Sequence, residues 1–282
     1  MKKKFSVSII IPTYNWPEAL SLCLQSVLNQ SVLPDEIIIA DDGSKQETGD
    51  LINHIKQKST VPIIHVWQED NGFRLAQIRN KAIARSSKDY IIQIDGDVIL
   101  HKDFIKDHIR FARKGSFVSG SRVIIEKGLA EQLLSSQTFN ISIYTKGTHS
   151  KLNGIHLPYL SFLQEKYRQN DILYVRGCNM AFWRNDLLQV NGYNEEMTGW
   201  GREDNELASR LINLGIEKRI IKFAGIMFHI YHPMRPRTSV NKNDKILQQT
   251  ITSGTTWCTK GIAQYTEDRP STDTSISTCW RN

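Results

Sequence analysis

Cysteine is scarce in this chain. Its 282 residues include only Cys23, Cys178, Cys258 and Cys279, and no two of them have a CxxC spacing. Such scattered cysteines exclude a zinc knuckle and a disulfide framework. We therefore expect a protein of a reducing compartment, the cytoplasm.

Long apolar runs are also absent. The first stretch, "MKKKFSVSIIIPTYN", begins with basic residues as a secretory signal does, but its apolar run is short and ends at Pro12 without a cleavage site. No segment reaches the length of a membrane span. These features predict a cytoplasmic protein that contacts the inner face of the cell membrane only peripherally.

Blocks of like charge are missing as well, although the formal net charge is +7 and the pI is about 9.2. The basic residues are dispersed and lack the aromatic-interleaved stripe that a nucleic-acid-binding protein needs, so no nucleic-acid partner is expected. The 40% hydrophobic and 23% charged fractions are those of a soluble globular protein. A mildly basic net charge fits both an enzyme for anionic substrates and a protein resting on an anionic membrane surface, and charge alone does not choose between them.

Apolar segments in the first 100 residues alternate with segments of helical periodicity. Short apolar runs separated by helices are typical of a parallel sheet covered on both faces. We expect an α/β fold of Rossmann-like type, with a mostly parallel central sheet and helices on both faces. The expected strands are Val7 to Ile11, Glu36 to Ala40, Ile63 to Trp67 and Tyr90 to Ile94, and the expected helices are residues 17–29, 51–55 and 75–84.

Polar residues follow three of these strands. Tyr14 and Asn15 follow the first, Asp41 and Asp42 follow the second, and Asp95-Gly96-Asp97 follows the fourth. Ligands bind at the carboxyl ends of the strands in sheets of this kind. The three clusters therefore predict one binding site at one edge of the sheet.

The motif Asp95-Gly96-Asp97 places two carboxylates after a buried strand. Glycine lets the backbone turn sharply, so both carboxylates can point toward one place. A divalent cation there would remove their repulsion and bridge to phosphates. The alternative is a solvated turn, which the apolar residues on both sides of the motif disfavour.

Arg79 shares a helical face with Leu75, Ala82 and Ile83, and this face is expected to pack on the sheet. An arginine in that place needs an anionic partner. A core carboxylate and a ligand phosphate both satisfy this need, and the sequence leaves the two open.

Two acids, Glu203 and Asp204, follow the glycine-rich stretch "TGWGR" at the start of an amphipathic helix. Helix capping and the helix dipole explain acids in this position without any function. The functional alternative is a general base carried by a flexible loop, in which Gly199 and Gly201 flank Trp200 and the indole forms an apolar pocket wall.

His229 and His232 lie close together in "MFHIYHP". Imidazole binds transition metals such as manganese, so either histidine is a candidate third ligand beside the carboxylates. Two half-buried histidines with backbone partners are the alternative.

Regular patterns weaken in residues 121–171, where we expect a variable lobe or mobile loops over the site. The final segment, residues 237–282, is polar, and we expect a poorly ordered tail or a loosely attached appendage. The expected domain is therefore residues 1–236, with a nucleotide-binding half, 1–100, and an acceptor-side catalytic half, 101–236.

Five stretches, in this order, together carry a resemblance to a known family. They are "VSIIIPTYN", "IIIADDGS", "NGFRLAQIRNKAIARSSKDYIIQIDGDVIL", "VNGYNEEMTGWGREDNELASRLINLG" and "FHIYHP". The combination resembles the family 2 glycosyltransferases of GT-A fold, in particular the bacterial polysaccharide type that includes the transferase modules of chondroitin polymerase. The resemblance covers the chain from Val7 to about Pro236.

This resemblance implies an inverting transfer from a UDP-sugar to a hydroxyl of a bacterial surface glycan or a lipid-linked oligosaccharide, with Mn²⁺ or Mg²⁺ as cofactor. It makes Asp204 the general base, supported by Glu203, and it assigns the metal to Asp97 with His232 or else His229. Gly199, Trp200 and Gly201 would form the sugar and acceptor pocket. The residues implied for nucleotide binding are Pro12, Thr13, Tyr14, Asn15, Asp41, Asp42, Arg79, Asp95 and Gly96.

Two other functions share parts of this pattern. A nucleotidyltransferase would carry a glycine- and arginine-rich phosphate loop after the first strand, and "IPTYNWPEAL" has none. A nucleotide-sugar-binding protein without catalysis would not need both Asp95-Gly96-Asp97 and Glu203-Asp204. The transferred sugar and the acceptor, whether a lipid-linked oligosaccharide, a lipopolysaccharide core or a capsule chain, stay open.

Overall fold

A computed structural model describes residues 5–233 and 240–266 of the chain. The strands are β1 (Val7–Thr13), β2 (Glu36–Asp41), β3 (Ile63–Trp67), β4 (Tyr90–Ile94), β5 (Val98–Leu100), β6 (Ser116–Gly120), β7 (Val123–Ile125), β8 (Thr148–His149), β9 (Asn179–Trp183), β10 (Glu217–Ile221) and β11 (Met227–His229). The α-helices are α1 (Pro17–Leu28), α2 (Gln46–Lys58), α3 (Leu75–Arg85), α4 (Phe104–Phe111), α5 (Lys127–Ser136), α6 (Arg184–Gln189), α7 (Glu203–Asn213) and α8 (Val240–Ser253). Within these residues, no helix combines the length and the apolar composition needed to cross a membrane.

The central sheet has seven strands in the order β10-β6-β9-β4-β1-β2-β3. Its strand pairs are parallel except where β9 pairs antiparallel with β4 and β6. The prediction of an α/β fold with a mostly parallel sheet is therefore confirmed.

Alternate residues of β1 enter separate cores on the two faces of this sheet. Ile9 and Ile11 pack in one core with Leu20 of α1, whereas Ile10 packs in the other with Ile78 of α3. Successive side chains of a strand point to opposite faces, so a strand covered by helices on both sides is apolar throughout. This geometry explains why the buried strands appear in the sequence as unbroken apolar runs.

A second, smaller sheet has the strand order β5-β11-β7-β8. Strand β11 pairs antiparallel with β5, and the register places His229 opposite Val98, the residue after Asp97. The small sheet thereby brings the end of β11 to the start of β5. Residues 121–171, which were expected to be irregular, contribute β7, β8 and α5 to this part of the fold.

Residues 240–266 do not form the loose appendage that the sequence predicted. Helix α8 packs against α7 with Leu247 buried, and Asn191 anchors the chain beyond α8. The Asn191 side-chain amide donates to the carbonyl of Cys258 (2.7 Å), and the Asn191 carbonyl accepts from the amide of Ile262 (2.9 Å). Residues 237–239 and 267–282 lie outside the described residues, and the domain boundary at residue 236 stays a prediction.

A buried ion pair lies in the contact between α7 and its neighbours. The Nη2 atom of Arg210 donates to Glu206 at 2.7 Å and to the carbonyl of Gly192 at 2.7 Å, and both charged side chains are almost completely buried. The hydroxyl of Thr250, on α8, donates to the same glutamate at 3.2 Å. Removal of one partner would leave an uncompensated charge in the core.

We therefore expect Glu206→Ala to lower the free energy of unfolding by about 3–5 kcal/mol, because the Arg210 guanidinium would lose its counter-charge. Urea denaturation monitored by circular dichroism measures this loss. Glu131→Ala is the matched control, since it removes the acid of the exposed pair with Lys127 and should cost less than about 0.5 kcal/mol. Equal losses in the two variants would contradict the expectation.

Candidate active site

A cleft of about 440 Å³ opens at the carboxyl ends of β1, β2 and β4, the sheet edge at which the sequence predicts a binding site. The strands deliver the three polar clusters to this edge because they run parallel and end at the same level. The predicted residues that line the cleft are Pro12, Thr13, Tyr14, Asp42, Asp95, Gly96, Asp97, Trp200, His229 and His232.

The turn between β4 and β5 is held tightly against β1. A Cβ atom on Gly96 would lie 2.5 Å from the carbonyl oxygen of Pro12, so only glycine fits there. The turn carries Asp95 toward Arg79, whose Nη2 atom donates to the Asp95 carboxylate at 3.3 Å. Burial and the neighbouring Asp97 raise the pKa of Asp95, whereas Arg79 opposes this shift.

Asp97, His229 and His232 form a group whose potential ligand atoms all lie within 4.8 Å of one another. The Asp97 carboxylate is 3.3 Å from His232 Nε2 and 3.7 Å from His229 Nε2. Its Oδ1 atom is buried and has no hydrogen-bond partner among the residues that the structure describes. Burial lowers the pKa of His229 although Asp97 acts in the opposite direction, which favours the neutral, ligating imidazole. The donor set and the unpartnered oxygen fit a divalent transition metal.

Arg79 and the partly buried Asp204 form a direct ion pair. Arg79 is almost fully buried, and its Nη1 atom donates to Asp204 Oδ1 at 2.9 Å. The hydroxyl of Tyr193 lies 3.0 Å from the same oxygen and 2.8 Å from Gln93 Oε1. Burial disfavours the charge of Arg79, but Asp204 and Asp95 hold its pKa above the usual value. Arg79 thus has two carboxylate partners, Asp204 and Asp95.

The loop before α7 has the backbone conformations that glycine favours. Gly199 and Gly201 have φ values of 73° and 112°, and between them Trp200 lines the cleft. The amide of Gly201 donates to the Glu203 carboxylate at 2.9 Å. Glu203 is buried, and burial together with Asp204 raises its pKa to about 7. The acid in the first turn of α7 is thus coupled to the loop and to Asp204.

Two residues that the resemblance assigned to the nucleotide are engaged within the protein. Asp41 is buried, and its carboxylate lies 2.9 Å from His65 Nε2. Asn15 has a φ of 48°, and its side-chain oxygen accepts from the amide of Lys45 at 2.8 Å. The Asn15 contact joins the loops that follow β1 and β2, and the Asp41 contact joins β2 to β3. Asp42, rather than Asp41, lines the cleft.

Sequence reasoning missed several residues that line the cleft. Arg122 follows β6, so the rule that located the other strand ends could have found it. Arg176 precedes β9, and it reaches the same edge because β9 runs antiparallel to β4. The sequence of an apolar strand does not show whether the strand runs parallel or antiparallel to its neighbours, so Arg176 could not be placed at this edge. The other missed residues are Trp16, Phe73 and Leu75.

The glycosyl transferase family 2 model matches residues 8–189, which is more than half of the chain, so the chain belongs to this family. A second family, described as the N-terminal domain of galactosyltransferase, matches residues 158–233. Fold and family together define the protein as a glycosyltransferase of GT-A fold.

Curated relatives are similar to the chain over most of its length. Chondroitin synthase of Escherichia coli is 28% identical over 261 residues, which are 87% of this chain and 37% of the relative. Hyaluronan synthase of Pasteurella multocida is 28% identical over 263 residues, which are 87% of this chain and 26% of the relative. The chain therefore spans well under half of the length of these two relatives.

Solved structures show the same fold at low sequence identity. The structure of Staphylococcus aureus TarS 1-349 in complex with UDP-GlcNAc matches with a TM-score of 0.62 and 15% identity, over 92% of this chain and 69% of that one. The mannosyltransferase PcManGT of Pyrobaculum calidifontis, in complex with GDP-Man and Mn²⁺, matches with a TM-score of 0.56 and 16% identity, over 85% of this chain and 61% of that one.

The raised pKa of Glu203 predicts a measurable effect of pH on stability. The pKa is about 7 in the folded protein against an ordinary value of 4.5, so the folded state keeps a proton that the unfolded chain releases between these values. The free energy of unfolding therefore falls as pH rises through this window. The side chain of Glu203→Gln stays neutral, so from pH 4.5 to 7 the free energy of unfolding of the wild type should fall by ~3 kcal/mol relative to that of the variant.

Urea denaturation of both proteins at a series of pH values, in buffer without added metal, measures this difference. Glu131→Gln serves as a control, because the exposed side chain of Glu131 should leave the pH profile unchanged. Parallel pH profiles for Glu203→Gln and the wild type would show that Glu203 ionises normally.

Proposed function

We propose that this glycosyltransferase carries out a metal-dependent, inverting transfer of a sugar from a UDP-sugar to a hydroxyl group of a bacterial surface glycan or lipid-linked oligosaccharide. The observation that carries the proposal is the group of Asp97, His229 and His232 with its unpartnered carboxylate oxygen, on the wall of a cleft at the carboxyl end of the sheet. Arg79 connects this wall to Asp204 through its second carboxylate partner, Asp95.

The donor side of the cleft has the groups that a nucleoside diphosphate needs. We assign the nucleobase to the walls formed by Thr13, Tyr14 and Asp42, and the ribose to Asp95. Asp97 and the two histidines would hold Mn²⁺ or Mg²⁺. A divalent cation in this place supplies positive charge that offsets the charge growing on the UDP leaving group.

Asp204 is the general base in this proposal. Arg79 and Tyr193 both approach Oδ1, and we therefore assign Oδ2 to the acceptor hydroxyl proton. A base on the face of the sugar opposite the leaving group permits in-line attack, so the anomeric centre inverts without a covalent intermediate. An α-linked UDP-sugar would then give a β-linked product. Glu203, whose pKa is about 7, supports the base through its coupling to Asp204.

The comparisons support the substrate classes in this proposal. Relatives over 87% of the chain are named chondroitin synthase and hyaluronan synthase, which favours a polysaccharide acceptor. Structures of the same fold are titled as complexes with UDP-GlcNAc and with GDP-Man and Mn²⁺, which favours a nucleotide-sugar donor and a metal.

Cys23, Cys178 and Cys258 are all unpaired, which supports the cytoplasmic location expected from the sequence.

The metal assignment predicts the behaviour of Asp97→Ala. Loss of this carboxylate should weaken manganese-dependent binding of UDP by about 100-fold, because a carboxylate ligand and its charge are both removed. Isothermal titration of UDP with and without manganese measures the effect. Unchanged UDP affinity in the manganese titration would contradict the assignment.

The chain offers a matched control for this variant. His101, Asp103 and His156 form a second group of potential ligand atoms within 4.8 Å of one another. There, however, the Asp103 carboxylate already accepts hydrogen bonds from Ser31 (2.6 Å) and Lys106 (3.3 Å). Asp103→Ala should leave manganese-dependent UDP binding unchanged.

The base assignment predicts that Asp204→Asn retains UDP-sugar binding and loses transfer. The amide keeps the shape of the side chain but cannot take a proton, so kcat should fall by about 10²–10⁴-fold. Release of UDP in the presence of acceptor measures kcat, and titration of the UDP-sugar measures binding. A kcat near that of the wild type would place the base elsewhere, with Glu203 as the next candidate.

A further inference from the structure

Aromatic rings and cations alternate along a surface that leads out of the cleft. The guanidinium of Arg176 lies 6.0 Å from the ring centre of Tyr174, and that of Arg168 lies 5.0 Å from Tyr174 and 5.8 Å from Tyr167. The ammonium of Lys222 lies 3.7 Å from the ring centre of Tyr167. We call these five residues the track.

The track begins at the active site and continues to exposed surface. Arg176 lines the cleft together with Asp97, His229 and His232. Tyr167, which lies next to Lys222 at the other end of the track, is 37% exposed. The rings of Tyr167 and Tyr174 lie edge to face with their centres 5.7 Å apart, so the two rings are in contact. A ligand that enters the cleft by this route would meet a ring and a cation in turn.

Buried polar groups hold the track in place. Lys218 is almost fully buried, and its ammonium donates to the carbonyls of Asp171 and Tyr174. The side-chain amide of Asn205, the neighbour of Asp204 on α7, donates to the carbonyl of Ile172 at 2.9 Å. A binding surface that is ordered before the ligand arrives loses less entropy on binding.

Arg168 has an unusual backbone conformation. Its φ of 49° is in the left-handed region, which is costly for a residue with a side chain. The guanidinium lies within 6 Å of both tyrosine ring centres, and a guanidinium over a ring keeps its N–H edge available for a carboxylate. Asp171 lies 3.7 Å from Arg168 and offsets part of its charge, but Arg176 and Lys222 keep the track positive.

We propose that the track binds an anionic glycan, the growing acceptor chain, whose end enters the cleft. Tyrosine rings offer flat apolar faces for the apolar faces of sugar rings, and the cations between them pair with carboxylates. A line that starts inside the cleft fits a linear polymer better than it fits the plane of a membrane. This inference rests on the proposed function, and it specifies the acceptor class as a carboxylate-bearing polysaccharide.

The probe is an oligosaccharide of alternating glucuronic acid and N-acetylglucosamine, together with the same oligosaccharide after reduction of its carboxyl groups to alcohols. Isothermal titration in the presence of UDP and manganese measures the affinity of each. The wild type should bind the acidic form at least about tenfold more tightly than the reduced form. Tyr167→Ala and Arg168→Gln should each weaken binding of the acidic form by about tenfold.

Binding of the reduced form separates the two contributions. Tyr167→Ala should weaken it too, because stacking does not need the carboxylate, whereas Arg168→Gln should leave it nearly unchanged. Tyr144→Ala and Lys127→Gln are matched controls, since they remove an exposed tyrosine and an exposed cation elsewhere on the surface. Both controls should bind the acidic form as the wild type does, and thermal unfolding midpoints establish that all four variants fold.

Equal affinity of the wild type for the acidic and reduced forms would overturn the inference. Unchanged affinity in folded Tyr167→Ala and Arg168→Gln would also overturn it. So would binding to phosphatidylserine vesicles that is lost in these variants, if the oligosaccharides do not bind, because the surface would then be a lipid-binding one.

Titration of the UDP-sugar on the same variants separates this inference from the proposed function. Normal binding of the donor without binding of the acidic oligosaccharide overturns the acceptor track alone. Track-dependent binding of the oligosaccharide without any binding of a UDP-sugar supports the track and removes the proposed donor.

Discussion

The candidate site depends on one buried cation. Desolvation of a guanidinium is expensive, and Arg79 compensates for it with two carboxylates at once, Asp95 and Asp204. The first carboxylate follows β4 and the second lies in the first turn of α7, so a residue of α3 joins the first 100 residues of the fold to the segment around α7. The positive charge of Arg79 also opposes the rise that burial and Asp97 cause in the pKa of Asp95. Asp97, Asp95 and Asp204 are in this way electrostatically linked through Arg79.

Most of the central sheet was predictable because its strands are buried on both faces. The expected strands at Ile63 to Trp67 and Tyr90 to Ile94 match β3 and β4 residue for residue. The small sheet was not predictable, because β5, β7 and β11 have three residues each and β8 has two, too few to show an alternation. Helix α8 was missed because burial of Asn243 and Thr250 relies on polar contacts to other elements.

The site could be predicted as far as its residues follow strands that run in the common direction. Asp95 and Asp97 follow a parallel strand, and the sequence placed them at the cleft. Arg176 was missed because it precedes a strand of reversed direction. The raised pKa of Glu203 could not be foreseen either, since its largest cause is burial, which only the folded structure shows. The sequence thus indicated which side chains lie near the cleft, and only the structure showed which of them contact one another, as Arg79 contacts Asp95 and Asp204.

Helix α8 supports the cleft from outside the segments that the family models match. The side chain of Asn243 donates to the carbonyls of Thr198 (3.3 Å) and Gly201 (2.8 Å), on either side of Trp200. The helix therefore clamps the loop that forms one wall of the cleft, although none of the residues lining that cleft comes from it. The two family matches end at residues 189 and 233, before this clamp begins. A module that ended at residue 233 would keep Asp97, His229 and His232 but lose the support that α8 gives to the loop carrying Trp200.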